Sequence, residues 1–292
     1  MGDLIHMAEI KEATTYDRQL QILSDRGIEI DDPDECREIL QNINYYRLTA
    51  YFLPFKVSDE QYIPGTSMMR VYRIYEFDRK IRRILFSPLE EVEVYFRARL
   101  AYHHAHKYGP IGYLDPANYR SKHNHDKFLT KFNNEVASNS TVPFVMHHLT
   151  KYNGVFPIWV AIELFTFGML SFFYADMRSG DQKKIAAEFH TTSDNIRSWL
   201  ICCSTLRNIC AHYGRLYYSL FANVPANIPD INGSTKRLFG AVQALQAIYP
   251  YSAKWNTEFL PALKALVDEY SDSIDLKHIA FPQNWYTLLH KT

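Results

Sequence analysis

Between Asn195 and His212 the chain reads NIRSWLICCSTLRNICAH. Ile196, Trp199, Leu200, Cys203, Leu206 and Cys210 recur at three- and four-residue intervals, which is the spacing of one face of an α-helix. A half-buried strand would instead alternate at every second residue. The C-terminal end of this apolar helix releases three polar side chains, Arg207, Asn208 and His212, followed by Tyr213-Gly214-Arg215-Leu216-Tyr217. At about 100° per residue Asn208 and His212 share a face, while Arg207 stands about 140° from His212. One regular helix therefore does not join the arginine to the histidine. Fraying near Gly214, or a second copy of the helix in a homodimer, would.

The same period governs the rest of the chain. Thr15-Tyr16-Asp17-Arg18-Gln19-Leu20 starts a helix with Leu20 and Leu23 on one side, and Arg26-Gly27 ends it. Asp31-Asp32-Pro33-Asp34 caps a second, which carries Cys36, Ile39, Leu40 and Ile43. Asn44 to Lys56 is rich in aromatic residues, with Arg47 and Lys56 interleaved. This mixture fits either a surface that stacks and clamps nucleic acid through Tyr46, Arg47 and Lys56, or an aromatic core edge with two solvated charges. From Val71 a helix places Ile74, Ile81, Ile84 and Leu85 on one side and Arg79, Lys80, Arg82 and Arg83 on the other. Ser87-Pro88-Leu89-Glu90 has the form of an N-cap, so a new helix or a kinked continuation is expected from Ser87 to about Lys107. Within it Glu93 and Arg97 lie one turn apart and can pair.

After a turn at Gly109–Tyr113, helices are expected at about His125–Val136, Lys183–Phe189, Ser234–Tyr249 and Ala253–Tyr270. Ile158–Ala175 is apolar and close to the minimum length of a membrane span, but Glu163 lies inside it and Gly168 interrupts it. Two short buried helices meeting near Phe167-Gly168 are the expectation. With no period-two series and no repeat, the fold class is all-α: a helical bundle over residues 67–292, with a small N-terminal helical unit over residues 1–66 that holds the aromatic and basic segment.

Composition bounds the function. The 292 residues contain 32 Lys+Arg and 32 Asp+Glu, so nucleic acid would have to be held by a local patch and not by net charge. Only 11 glycines are present, against 21 Tyr and 18 Phe, which speaks against glycine-dependent phosphate loops and against disorder. The four cysteines form no CxxC pair and read as buried apolar residues in a reducing compartment. The N-terminal MGDLIHMAEIKE has neither a basic nor an apolar signal region, so a cytoplasmic protein is expected. No His, Cys, Asp and Glu set has a dependable metal-ligand spacing, although His103, His104, His106, His123, His125, His147 and His148 are clustered. No cofactor fingerprint is present, and no metal or other cofactor is expected.

The chemistry at the helix end suits RNA. The 2′-hydroxyl is an internal nucleophile, so cleavage needs a proton acceptor, a proton donor and a cation beside the phosphorane. Histidine titrates nearest neutrality, and arginine offers a permanently charged fork that matches phosphate oxygens. The bland alternative pairs Arg207 with a buried carboxylate and leaves His212 as a cap at a helix C-terminus, where a cation is favoured.

The chain as a whole resembles the AbiD/AbiF-type abortive-infection proteins of bacteria, a branch of the HEPN superfamily. The resemblance lies in Gln19-Leu20 with Arg26-Gly27, Asn44-Tyr45-Tyr46-Arg47-Leu48, Phe77-Asp78-Arg79-Lys80-Ile81-Arg82 and Val92-Glu93 with Arg97. It continues through Pro157-Ile158-Trp159 with Glu163-Leu164 and Phe167-Gly168, then Arg207-Asn208-Ile209-Cys210-Ala211-His212 with Arg215-Leu216, and Phe281-Pro282 with Trp285. It implies a HEPN-like bundle and a metal-independent endoribonuclease that leaves 2′,3′-cyclic phosphate. Its role would be that of a phage-defence toxin, its partners an RNA substrate, a second copy of the chain and a small non-coding RNA antitoxin. Arg207, Asn208 and His212 take the catalytic positions. Where the family pattern places Asn after the Arg-Leu pair, this chain has Tyr217-Tyr218, and no substrate role is assigned there.

Around that centre, Tyr46, Arg47, Lys56, Arg79, Arg83 and Arg215 are the RNA-binding candidates. Glu93, Arg97 and Glu163 are the supporting ones, Glu163 either orienting Arg207 or forming a structural ion pair with Arg207 or Arg97. A catalytically silent RNA-binding regulator is the rival reading, and a protein–protein adaptor is a third. Binding alone would not need His212.

Overall fold

The computed structural model describes residues 12–231 and 233–291, so the stretch bearing the signal-peptide reading lies largely outside the described residues. By compactness the chain divides into two units, Met1–Phe77 with Tyr270–Ile274, and Asp78–Glu269 with Asp275–Thr292.

The first unit is built on helices whose ends are capped as the sequence dictates. In α1 (Tyr16–Asp25) the Thr15 hydroxyl accepts the Arg18 N–H, and Leu20 and Leu23 are buried. Gly27 comes next at φ 90°, a left-handed turn that glycine enters without Cβ strain. In α2 (Pro33–Asn42) Asp32 accepts the N–H groups of Asp34 and Glu35, with Pro33 in the first turn. The aromatic segment forms α3 (Tyr45–Phe52), which buries Leu48, Tyr51 and Phe52 and leaves Tyr46 86% exposed. Two short sheets, which the sequence does not announce, complete the unit. The strand β1 (Ile28–Glu29) runs parallel to a later segment, and β2 (Lys56–Ser58) pairs antiparallel with β3 (Gln61–Tyr62). That later segment is β4 (Thr66–Ser67). Strands of two or three residues carry no readable period.

Helix α4 (Met68–Tyr108) is continuous, so no new helix starts at Ser87 and Pro88 lies inside it. The reason is burial. Ile81, Leu85, Leu89, Val92, Phe96 and Leu100 are all fully buried at three- and four-residue spacing across the proline. An internal proline costs about 3 kcal/mol. Each such side chain contributes about 1.5–3 kcal/mol, so the face outweighs the break.

The second unit continues with α5 (His125–Ser138), α6 (Pro143–Lys151), α7 (Ile158–Ala161), α8 (Phe167–Asp176), α9 (Ser179–Ala187) and α10 (Ser193–Ala211). It closes with α11 (Leu238–Ile248), α12 (Ser252–Lys254), α13 (Leu260–Glu269) and α14 (Trp285–Leu288). The apolar Ile158–Ala175 stretch is two short helices, as expected. The break falls where Thr166 caps α8 by accepting the Met169 N–H. Among the described residues no helix is long and apolar enough to cross a membrane. Helix α10 packs on α8, α9 and α11 and buries Ile196, Trp199, Leu200, Cys203, Leu206 and Cys210. All four cysteines are free and buried.

Candidate active site

Helix α10 ends in an ordered cap and does not fray. The Gly214 N–H reaches the Ile209 carbonyl at 2.8 Å and the Tyr213 N–H reaches Cys210 at 3.4 Å, with Tyr213 left-handed at φ 57°. This is the pattern of paired 6→1 and 5→2 bonds that satisfies orphan carbonyls at a helix end. A Cβ on residue 214 would meet Ile209 Cγ2 at 2.9 Å, so the closure requires glycine there. The outcome is that His212 becomes the C-cap, solvent-exposed, and its ring makes no hydrogen bond or ion pair among the described residues.

The turn after His212 is held by Asp78, a residue to which the sequence alone gives no role. Asp78 is fully buried and accepts the N–H of Tyr217 at 2.7 Å and of Leu216 at 3.0 Å. Its other oxygen pairs with buried Arg82, which also donates to the Gly214 carbonyl at 3.1 Å. The Asp78–Arg82 pair thus fixes both ends of the Gly214–Tyr217 turn. In sequence Asp78 is only an Asp one turn before an Arg in an arginine-rich stretch, which does not set it apart from a solvated carboxylate. Tyr217 is buried and the Tyr217 hydroxyl accepts the Asp275 N–H at 2.9 Å, so Tyr217 is a packing residue.

Arg207 lies one turn before the cap. Its Nε stands 3.4 Å from the Glu93 carboxylate, and its Nη1 donates to the Asn208 side chain at 3.2 Å. Glu93 is 7% exposed and pairs with Arg97 at 2.5 Å. Arg97 also donates to the Ile162 and Phe165 carbonyls. One carboxylate is therefore shared by two arginines, and Arg97 is locked to the bend between α7 and α8. Phe86, Glu90, Glu93, Arg97, Glu163 and Arg207 line a cleft of about 330 Å³.

Glu163 corrects the expectation drawn from sequence. It is exposed at the cleft rim and pairs with neither Arg207 nor Arg97. The kink between α7 and α8 turns its side chain outward, and Glu93 is the carboxylate that the arginines neutralise. With three glutamates against two arginines, the cleft is not an anion pocket. A phosphate would meet Arg207 from its solvent side, where the side chain is 31% exposed. His212 does not line this cleft, so within one chain the structure gathers Arg207, Glu93, Arg97 and Glu163 and leaves His212 outside.

The six RNA-binding candidates are dispersed. In the first unit Tyr46 and Lys56 line one pocket with Arg26, Tyr45 and Tyr62, where Lys56 pairs with Asp59 at 2.7 Å and Arg26 with Glu60 at 3.1 Å. Arg47 is half-buried on α3. In the second unit Arg83 is exposed and lines a separate cleft with Glu91 and Lys254, while Arg79 and Arg215 are half-buried.

An all-α chain with an Arg–Asn–x3–His helix end, the Arg anchored on a buried Glu, is the class that fold and site define. Residues 38–218, more than half of the chain, match the family described as Abi-like protein, and the chain belongs to that family. Membership points to abortive infection, a defence against phage. No curated protein and no solved structure matches the chain.

Proposed function

We propose that this protein is a metal-independent endoribonuclease of abortive infection, with Arg207 and His212 at its centre. The observation that carries this reading is the contrast between the two side chains. Arg207 is tethered by Glu93, whereas His212 presents an unengaged imidazole at the ordered end of the same helix. In the reaction, the 2′-oxygen attacks phosphorus and the P–O5′ bond breaks. His212 accepts the 2′-hydroxyl proton while water protonates the departing 5′-oxygen, or protonates the 5′-oxygen while water takes the 2′-hydroxyl proton. Arg207 stabilises the charge that builds on the phosphorane. The products are a 2′,3′-cyclic phosphate and a 5′-hydroxyl.

The separation of His212 from the Arg207 cleft is the ground for a homodimer in which one chain's histidine stands beside the other's arginine across a two-fold axis. RNA would be gripped by Arg215, Arg79 and Arg83, with Tyr46, Arg47 and Lys56 as a second patch, and a small structured RNA would restrain the toxin. The same separation favours a second reading, a silent RNA-binding regulator, if the chain works as a monomer. Light scattering combined with cleavage in EDTA decides. A dimer that cleaves RNA in EDTA and leaves cyclic phosphate ends supports the ribonuclease. A monomer that binds RNA and leaves it intact supports the regulator, and ends bearing 3′-hydroxyl overturn the mechanism.

A further inference from the structure

A cleft between α5 and α8 combines cations with an open aromatic ring, the pairing that the sequence alone suggests for α3. It is lined by Lys122, Lys127 and Lys131 on one side and by Met169, Phe172 and Asp176 on the other, around a volume of about 190 Å³. All three lysines are exposed, and none has an ion pair among the described residues. The one carboxylate of the lining, Asp176, is engaged by the His123 ring at 2.8 Å. Phe172 is 57% exposed, with the Lys131 ammonium 5.6 Å above its ring.

Helix stability does not account for this arrangement. Lys127 and Lys131 are like charges four residues apart, which weakens a helix slightly, and an exposed phenylalanine gains little from folding. By contrast Lys56 and Arg26, in the pocket beside Tyr46, are already neutralised by Asp59 and Glu60. Cations left unneutralised beside an open aromatic face fit a ligand with alternating negative charge and flat rings.

The geometry points to the α5–α8 cleft as a binding site for single-stranded RNA, one base stacking on Phe172 while Lys127, Lys131 and Lys122 take the flanking phosphates. An acidic peptide would satisfy the lysines but would leave Phe172 without a stacking partner. The choice of RNA rests on the ribonuclease reading above, but the site itself rests on its own side chains.

The test uses the full-length His212→Ala protein and a fluorescein-labelled twelve-nucleotide oligouridylate, read by anisotropy across a salt series. Lys127→Ala with Lys131→Ala weakens binding about ten-fold or more and makes the salt dependence shallower by about one to one and a half units. Phe172→Ala weakens binding about five-fold or more with the salt slope unchanged. Thermal melting of all variants stays within about 2 °C of the parent, because exposed side chains contribute little. Polyglutamate that competes as well as RNA, together with a silent Phe172→Ala, overturns the site in favour of an acidic partner. Lysine variants that bind RNA as the parent does, while wild type still cleaves, overturn the site and leave the ribonuclease intact. A wild type that neither binds nor cleaves RNA overturns both.

Discussion

Asp78 receives the backbone N–H of Tyr217 at 2.7 Å from a fully buried position 139 residues away in sequence. Because Asp78 also pairs with Arg82, and Arg82 caps the Gly214 carbonyl, the turn after His212 is set by helix α4. Removing the carboxylate would take the counter-charge from a buried guanidinium and the acceptor from two backbone donors. Asp78→Ala is expected to cost about 3–5 kcal/mol, measured by denaturant unfolding. A loss under about 1 kcal/mol would show that the turn does not depend on this pair.

On the proposed ribonuclease reading, Glu93 acts through Arg207, which it holds at 3.4 Å, and not on RNA. Glu93→Gln keeps the shape but cannot neutralise both arginines. Cleavage is expected to fall roughly ten- to a hundred-fold through kcat, with KM little changed, as for a group displaced by a fraction of an ångström. Glu93→Asp should recover part of the loss. An increase in KM alone would move Glu93 into substrate binding.

His104 provides a pH signature. It is 1% exposed, with the rings of Tyr108 and Phe173 at 4.9 and 5.3 Å, and burial pulls its pKa from 6.5 down to about 4. Between those values the unfolded chain holds a proton that the folded chain lacks, so stability falls as pH drops through that window. The loss approaches about 3 kcal/mol by the lower end. His104→Phe should melt with a flatter dependence on pH than wild type between about 6.5 and 4.5. Parallel melting curves would place the acid sensitivity elsewhere.

The helical class was legible because long apolar faces dominate the chain. Ile196 to Cys210 on α10 and Ile81 to Leu100 on α4 declare their period without tertiary information. The same faces explain where local signals alone do not decide. Ser87-Pro88 allows either a new helix or a continuation, and the continuation forms because the side chains either side of it belong to one buried stripe. Glu163 reads as buried because its neighbours are apolar, yet a bend between α7 and α8 turns it outward. Asp78 lies in plain view among charged residues, and only a partner 138 residues away distinguishes it from a solvated carboxylate. At the candidate site the Glu93–Arg97 pair is implied by one-turn spacing. The anchoring of Arg207 on Glu93 depends on how α4 meets α10, which no local pattern encodes.

The most direct test of the central claim is cleavage of single-stranded RNA in EDTA by wild type and by His212→Ala, with the ends of the products identified. Wild type should leave 2′,3′-cyclic phosphate, and His212→Ala should cleave roughly a hundred-fold or more slowly while binding the same RNA about as well. Equal cleavage by the two proteins would contradict the account.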